Sequence, residues 1–113
     1  MNKDFTEFQK WFKHYQKLFG LTGYKHYFKY ESLDGCFADI TVDLTNMVAT
    51  IRLNTQITGK HTPPRNIKDM AKHEAIHLLV SRLEENGRSR YATSAEIYES
   101  TEELVYKLEN LIP

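Results

Sequence analysis

Residues 73 to 77 read His-Glu-Ala-Ile-His, a combination of residue types and spacing that can carry chemistry. Positions i and i+4 of an α-helix project from one face, so the imidazoles of His73 and His77 can reach the same metal ion. Glu74 lies about 100° round the helix from His73, too far to be a third ligand but close enough to contact a water on the metal. The pattern predicts a zinc site in which Glu74 takes a proton from that water. The resulting hydroxide would attack a carbonyl that zinc polarises.

The motif lies within a segment that has the signals of an amphipathic helix. Asn66 can cap its start and Gly87 can end it. Its other apolar positions recur at helical spacing: Ile67, Met70, Ala71, Ile76, Leu79, Val80 and Leu83. The alternative is an ordinary helix that carries two histidines and a solvated glutamate. The helical context that the motif needs is present, which favours the zinc site.

The motif and its helix resemble those of the zincin metallopeptidases. The resemblance implies a zinc-dependent enzyme that hydrolyses peptide bonds, with His73 and His77 as zinc ligands and Glu74 as the general base. No histidine follows His77, which excludes the third histidine used by metzincins and by SprT-like proteins. The remaining implication is a third ligand of the gluzincin kind, an acid from the next helix.

The last predicted helix offers several candidates for this acid: Glu96, Glu99, Glu102 and Glu103. If it packs antiparallel to the motif helix about a turn near residue 90, the residue level with His77 is close to position 103. Glu102 also lies about 100° from Thr101, the middle of the apolar stripe, whereas the other candidates lie at about 140° or beyond. Height and orientation therefore favour Glu102. Glu99 stays open as the third ligand, because Glu99 and Glu103 resemble the ligand and supporting acid of the thermolysin helix.

Two further helices are indicated by apolar spacing and caps. Near the start of the chain, aromatic residues recur three and four positions apart: Phe5, Phe8, Phe12, Tyr15 and Phe19. They predict an amphipathic helix that closes near Gly20 and Gly23. The last helix is predicted to start at Thr93, with Glu96 three residues later as a capping box.

Three strands are predicted between the first helix and the motif helix, over residues 24–33, 37–44 and 47–53. Asp34-Gly35 signals a hairpin between the first two strands, and Thr45-Asn46 a turn between the second and third. The alternation of polar and apolar residues predicts a meander with one solvated face. Residues 59–65 are predicted to be a loop. The expected fold is a single α+β, zincin-like domain over residues 1–113. It has an N-terminal helix, a three-stranded, mainly antiparallel sheet, the motif helix and a C-terminal glutamate helix.

The composition limits the class of protein. Lys+Arg and Asp+Glu both total 15, a balance that argues against nucleic-acid binding through a broad basic surface. No stretch approaches the roughly 18 apolar residues of a membrane span, and no signal peptide is recognisable at the start. The single Cys36 excludes an internal disulfide and fits a reducing, cytoplasmic compartment.

A second resemblance concerns residues 109 to 113, which read Glu-Asn-Leu-Ile-Pro. They are similar to the close of the glutamate helix in ImmA/IrrE-type peptidases, which are linked to mobile-element repressors and stress regulators. This implies a small zincin of phage or bacterial type. The resemblance to zincins also implies that the strand before the motif helix, over 47–54, is a sheet edge that pairs with an extended protein or peptide substrate. Tyr91, Tyr98 and Tyr106 flank the site, and any of them could donate a hydrogen bond to an oxyanion.

The expected domain leaves little room for a second wall to its cleft. We therefore expect a shallow site, a partner chain that completes the cleft, or a site without activity. The alternative function is a non-catalytic zinc-binding regulatory or interaction module. Glu74 favours catalysis, because a purely structural zinc site does not need an acid at that position.

Overall fold

The computed structural model describes residues 2–56, 66–88, 91 and 93–113, apart from the side chain of Asn86. The order of elements is α1 (Lys3–Leu18), β1 (Lys25–Glu31), β2 (Ala38–Asp43), β3 (Val48–Asn54), α2 (Ile67–Arg88) and α3 (Ser94–Leu111). The predicted α+β class and the order of helices and strands are confirmed. The loop predicted over 59–65 and the turn predicted near residue 90 lie outside the described residues.

The first helix begins at a polar cap and buries its aromatic stripe. The Asn2 side chain accepts hydrogen bonds from the backbone N–H groups of Asp4, at 2.8 Å, and Phe5, at 3.1 Å. These bonds satisfy amide groups that have no partner within the helix. The stripe is buried through Phe8, Phe12 and Tyr15, which are among the core residues. The predicted end is also confirmed, since the helix stops at Leu18 and Gly20 follows at φ 72°.

The sheet is mixed, with strand order β1-β3-β2. The third strand is central: β1 pairs with it in parallel and β2 pairs with it antiparallel. The predicted turn between β2 and β3 is confirmed, and it includes a hydrogen bond from the Asn46 N–H to the Asp43 carboxylate. The predicted mainly antiparallel meander, with its hairpin between β1 and β2, is wrong, because these two strands lie on opposite edges of the sheet and one of the two strand pairs is parallel.

The hairpin between β1 and β2 does not form because the buried side chain of Asn54, at the end of β3, binds the backbone of the connection between them. Its amide donates hydrogen bonds to the carbonyls of Leu33, at 3.0 Å, and Cys36, at 2.9 Å. Its carbonyl oxygen accepts from the Leu33 N–H at 3.3 Å. Gly35 does provide a local turn, with φ 73°. However, these backbone groups bond to Asn54 rather than to a hairpin ladder, so the chain crosses the end of β3 and returns on its far side.

One face of the sheet packs against α1 and α2. Ala49, Ile51 and Leu53 of β3 are fully buried and belong to the same apolar cluster as the aromatic stripe of α1. The opposite face is polar, and Arg52 there bridges Asp39 and Glu31 on the two neighbouring strands. The expectation of one solvated face is therefore confirmed.

The last two helices form an antiparallel pair. Lys72, near the start of α2, donates a 2.8 Å hydrogen bond to the carbonyl of Ile112, just after α3. At the other end, a Cβ placed on Gly87 would lie 3.8 Å from the Ile97 side chain. Between these points a second apolar cluster is centred on three buried residues: Ile76, Val80 and Val105. This packing determines the position of each α3 residue along the axis of α2.

The predicted helix caps are present. The Asn66 side chain accepts from the Asp69 N–H at 2.7 Å, and the Thr93 hydroxyl accepts from the Glu96 N–H at 3.1 Å. The second helix continues through Gly87 to Arg88, one residue beyond its expected end. Within the described ranges, none of the helices combines the length and apolarity needed to cross a membrane.

Candidate metal centre

Three side chains converge between α2 and α3. His73 and His77 come from successive turns of α2, and Glu102 comes from the middle of α3. One ligand atom from each lies within 4.8 Å of the other two. The Nε2 atom of His77 is 3.2 Å from Glu102 Oε1, and the Nε2 atom of His73 is 3.8 Å from Glu102 Oε2. This group could hold a metal ion, with two imidazole nitrogens and one carboxylate oxygen as donors.

The other three candidate glutamates named in the sequence analysis do not belong to this group. Glu99 is exposed. Glu103 is 66% exposed and pairs with Lys107 one turn later at 2.8 Å. Glu96 accepts a hydrogen bond from the Thr93 hydroxyl at the helix cap. Among the described residues, one group of side chains has ligand atoms close enough together to hold a metal ion. Of the candidate glutamates identified in the sequence, only Glu102 belongs to it.

The contact between Glu102 and His77 affects the charge of the imidazole. Burial alone acts to lower the pKa of His77. The hydrogen bond to Glu102, and then the negative charge of Glu74, act in the opposite direction and raise the pKa above its usual value. The centre therefore attracts positive charge, either as a proton on the imidazole or as a metal cation.

Glu74 lies between the two histidines in sequence and is only 6% exposed. Burial disfavours its charged form and raises the pKa of the carboxyl to about 7. The charges of His73 and His77 act in the opposite direction, while Asp39 adds to the effect of burial. Glu74 is thus a buried acid at the edge of the centre, and it lines the same groove as the two imidazoles.

His73 makes a second contact that we did not predict from the sequence. Its Nδ1 atom lies 2.6 Å from Oε2 of Glu109, and both side chains are 12% exposed. Glu109 comes seven residues after Glu102, about two helical turns, so both acids project from one face of α3. That spacing was a usable signal in the sequence. However, its meaning depends on the structure, which shows that His73 presents one ring nitrogen to Glu102 and the other to Glu109.

A groove of 960 Å³ runs past the centre. One wall is made by α2 and α3, and the other by the consecutive residues 35–42, which include most of β2. A strand that presents one face contributes alternate residues, so an unbroken run means that the edge of β2 borders the groove. The expectation that the strand over 47–54 is the sheet edge is wrong, because β3 pairs on both sides and β2 is the edge beside the centre.

Two of the three predicted tyrosines line this groove. The Tyr106 ring lies 5.3 Å from the His73 ring, centroid to centroid. Tyr98 is one turn before Glu102, whose negative charge is the main cause of the raised pKa of Tyr98. Tyr91 is fully exposed and is not among the residues that line the groove. Tyr98 and Tyr106 are therefore the two phenols placed beside the centre.

Comparisons with known proteins give no match to this chain among protein-family models, curated proteins or solved structures. The function has to be inferred from the residues of the site and their arrangement.

Proposed function

We propose that this protein is a zinc-dependent metallopeptidase of the zincin type. His73, His77 and Glu102 would hold the zinc ion, and Glu74 would be the general base. The observation that supports this most directly is the convergence of the three donor groups beside a buried glutamate, in a groove bordered by a strand edge. Each of these features alone also occurs in proteins that hydrolyse nothing, whereas their combination is what zinc-dependent peptide hydrolysis requires.

The donor set fits zinc. Catalytic zinc sites have three protein ligands and an open fourth position, and a histidine pair with one glutamate is among the common sets. Ligands about 2.1 Å from zinc in a tetrahedral arrangement lie about 3.4 Å from one another. One ligand atom from each of the three residues lies within 4.8 Å of the other two, and the shortest contacts, from Glu102 Oε1 to His77 at 3.2 Å and from Glu102 Oε2 to His73 at 3.8 Å, are close to that value. When bound, zinc supplies Lewis-acid chemistry, which lowers the pKa of water and polarises a carbonyl.

Glu74 is suited to proton transfer at neutral pH. A general base works best when its pKa lies near the working pH, and burial places Glu74 close to that range. Its carboxylate would accept a proton from the attacking water and later deliver it to the departing amine. A bound cation adjacent to Glu74 would favour the charged form of the carboxylate, which is the form that accepts a proton.

The substrate would lie along β2. An extended peptide can add to an exposed strand edge through main-chain hydrogen bonds, and the edge of β2 faces the groove. Tyr98 and Tyr106 line the same groove, so either phenol could donate a hydrogen bond to the oxyanion formed during attack. A protein or peptide is therefore the proposed substrate, and a partner chain could complete the open side of the groove.

We also propose a cytoplasmic location and an origin among phage or bacterial proteins. The location is supported by the single Cys36, which has no second cysteine with which to form a disulfide within the chain. The origin rests on the resemblance of residues 109–113 to ImmA/IrrE-type peptidases.

The decisive experiment compares the wild-type protein with Glu74→Gln. The amide keeps the size of the side chain and removes the base, so zinc content and folding should stay unchanged. Hydrolysis of a responsive member of a mixed peptide library should fall by at least roughly 10²-fold. Glu103→Gln is the matched control, because Glu103 is an exposed acid that pairs only with Lys107 in the described contacts. It should leave both zinc content and hydrolysis unchanged.

Two outcomes would contradict the proposal. Equal cleavage by the wild type and Glu74→Gln would show that the activity comes from another mechanism or a contaminating protease. Stoichiometric zinc with no cleavage by the wild type would favour the alternative function, a zinc-binding module without turnover.

A further inference from the structure

Glu109 has no role in the function proposed above, yet it makes a short contact with a group at the centre. Its carboxylate lies 2.6 Å from His73 Nδ1, on the side of the ring away from Glu102. The two side chains are equally buried, at 12% exposure. A short, shielded hydrogen bond between a carboxylate and an imidazole is a strong one.

The chemistry of the two groups fixes the direction of this bond. An ionised carboxylate can only accept, so the Nδ1 atom of His73 must carry the proton and donate it. In a neutral imidazole the Nε2 atom is then unprotonated, and its lone pair is available to a metal. We propose that Glu109 is a positioning residue, which holds His73 with Nδ1 protonated and with Nε2 directed at the metal centre. This inference rests on the metal centre of the proposed function and adds a residue to its support.

Two hydrogen bonds tie the chain that follows Glu109 to the rest of the fold. Tyr15, buried in α1, donates a 2.8 Å hydrogen bond to the Pro113 carbonyl, and Lys72 donates to the Ile112 carbonyl at 2.8 Å. Both bonds fasten the chain just beyond the last turn of α3, the turn that carries Glu109. Since Lys72 directly precedes His73, the residue that fastens the helix and the residue that needs support are adjacent.

His77 provides an internal comparison. Its Nε2 atom faces Glu102 as that of His73 does, but no carboxylate among the described residues pairs with its Nδ1 atom. Removing the Glu109 carboxylate should therefore affect the Nδ1–H group of His73, which loses its acceptor, and leave the Nδ1–H group of His77 as it was. A general displacement of α3 would disturb both histidines.

The experiment uses three variants of the full chain: Glu109→Leu, Glu109→Gln and Glu103→Gln as the control. Zinc affinity is measured by competition with a chromophoric chelator, and the Nδ1 protons of both histidines are observed by NMR in the zinc-loaded protein. Glu109→Leu should weaken zinc binding by about 10- to 100-fold, the range for a lost partner of a metal-binding histidine. Glu109→Gln should lose less, because its amide oxygen can still accept the proton. The control should bind as the wild type does.

The NMR measurement separates positioning from a merely structural role. With Glu109→Gln, the Nδ1 proton of His73 should shift upfield, because a neutral acceptor makes a weaker bond than a carboxylate. The corresponding proton of His77 should not move. This result supports the inference even if Glu109→Leu fails to fold.

Several results would overturn the inference. A Glu109→Leu variant that folds and binds zinc as tightly as the wild type would show that His73 needs no support. Equal shifts of both histidine protons in Glu109→Gln would indicate movement of the helix rather than loss of one bond. A wild-type protein that binds no zinc would overturn the metal centre itself. By contrast, zinc binding without hydrolysis would overturn only the proposed enzymatic activity.

Discussion

Replacement of Glu102 by alanine is the sharpest test of the metal centre. This residue brings one carboxylate oxygen within 3.2 Å of His77 and the other within 3.8 Å of His73. Glu99 and Glu103 are on the same helix and are exposed. Alanine at each of the three positions removes one glutamate and keeps a good helix former, so the variants differ mainly in whether a donor is lost.

The expected loss follows from the free energy of zinc binding. Four protein ligands bind zinc with roughly 10–16 kcal/mol in small structural sites, or about 2.5–4 kcal/mol per ligand. A tenfold change in affinity corresponds to about 1.4 kcal/mol. Glu102→Ala should therefore weaken zinc binding by roughly 10²- to 10³-fold. Glu99→Ala and Glu103→Ala should bind as the wild type does.

The assay is competition with a chelator of known affinity, with folding of each metal-free variant checked by circular dichroism. A larger loss of zinc affinity for Glu99→Ala than for Glu102→Ala would contradict the packing of α3 against α2. To bring Glu99 to the metal, α3 would have to be displaced along α2 by nearly one helical turn. Equal affinities for all three variants would show that none of these three glutamates is the third donor.

Two further predictions concern stability. If free zinc is 100-fold above its Kd, binding stabilises the folded state by about 2.7 kcal/mol, so a chelator should lower the Tm by roughly 10–20 °C. The Tm of a His77→Ala variant should not change when the chelator is added. An equal fall in Tm for this variant would point to a second zinc site. Asn54→Ala leaves buried backbone groups of Leu33 and Cys36 without partners, at about 1–3 kcal/mol for each unsatisfied group. In urea unfolding, the free energy of unfolding of Asn54→Ala should therefore fall by about 3 kcal/mol or more. Asn46 is exposed, so Asn46→Ala should lose far less. Similar losses for the two variants would contradict the role of Asn54 in holding the connection between β1 and β2.

The helices could be predicted from the sequence because their signals are local. A cap needs only a polar side chain within three residues of the amide it accepts from, as at Asn66 and Thr93. The pairing of α2 and α3 could also be predicted, because a short connection between antiparallel helices determines which residues of one helix lie beside which residues of the other. This is why the height argument, which gave a position close to 103, and the orientation argument together favoured Glu102.

The sheet order could not be predicted in this way. Asp34-Gly35 does form a turn, but a turn signal does not specify which strands pair on either side of it. The deciding interaction joins Asn54 to Leu33, 21 residues earlier in the chain. Nothing in the pattern around Asn54 indicates that a polar residue at the end of a strand will be buried there. The error had a functional consequence, because it assigned the free edge to β3 instead of β2.

The role of each layer in the site follows from this topology. All three candidate ligands, the buried glutamate and the acid behind His73 belong to α2 or α3, while the sheet contributes the edge that borders the groove. A shift of α3 by one residue would rotate its side chains by about 100° and carry Glu102 and Glu109 away together. The apolar contacts between the two helices therefore set the geometry of the centre. Ligand spacing and helix packing are a single structural requirement here, so mutations that loosen the packing around Val105 would impair metal binding without changing any ligand.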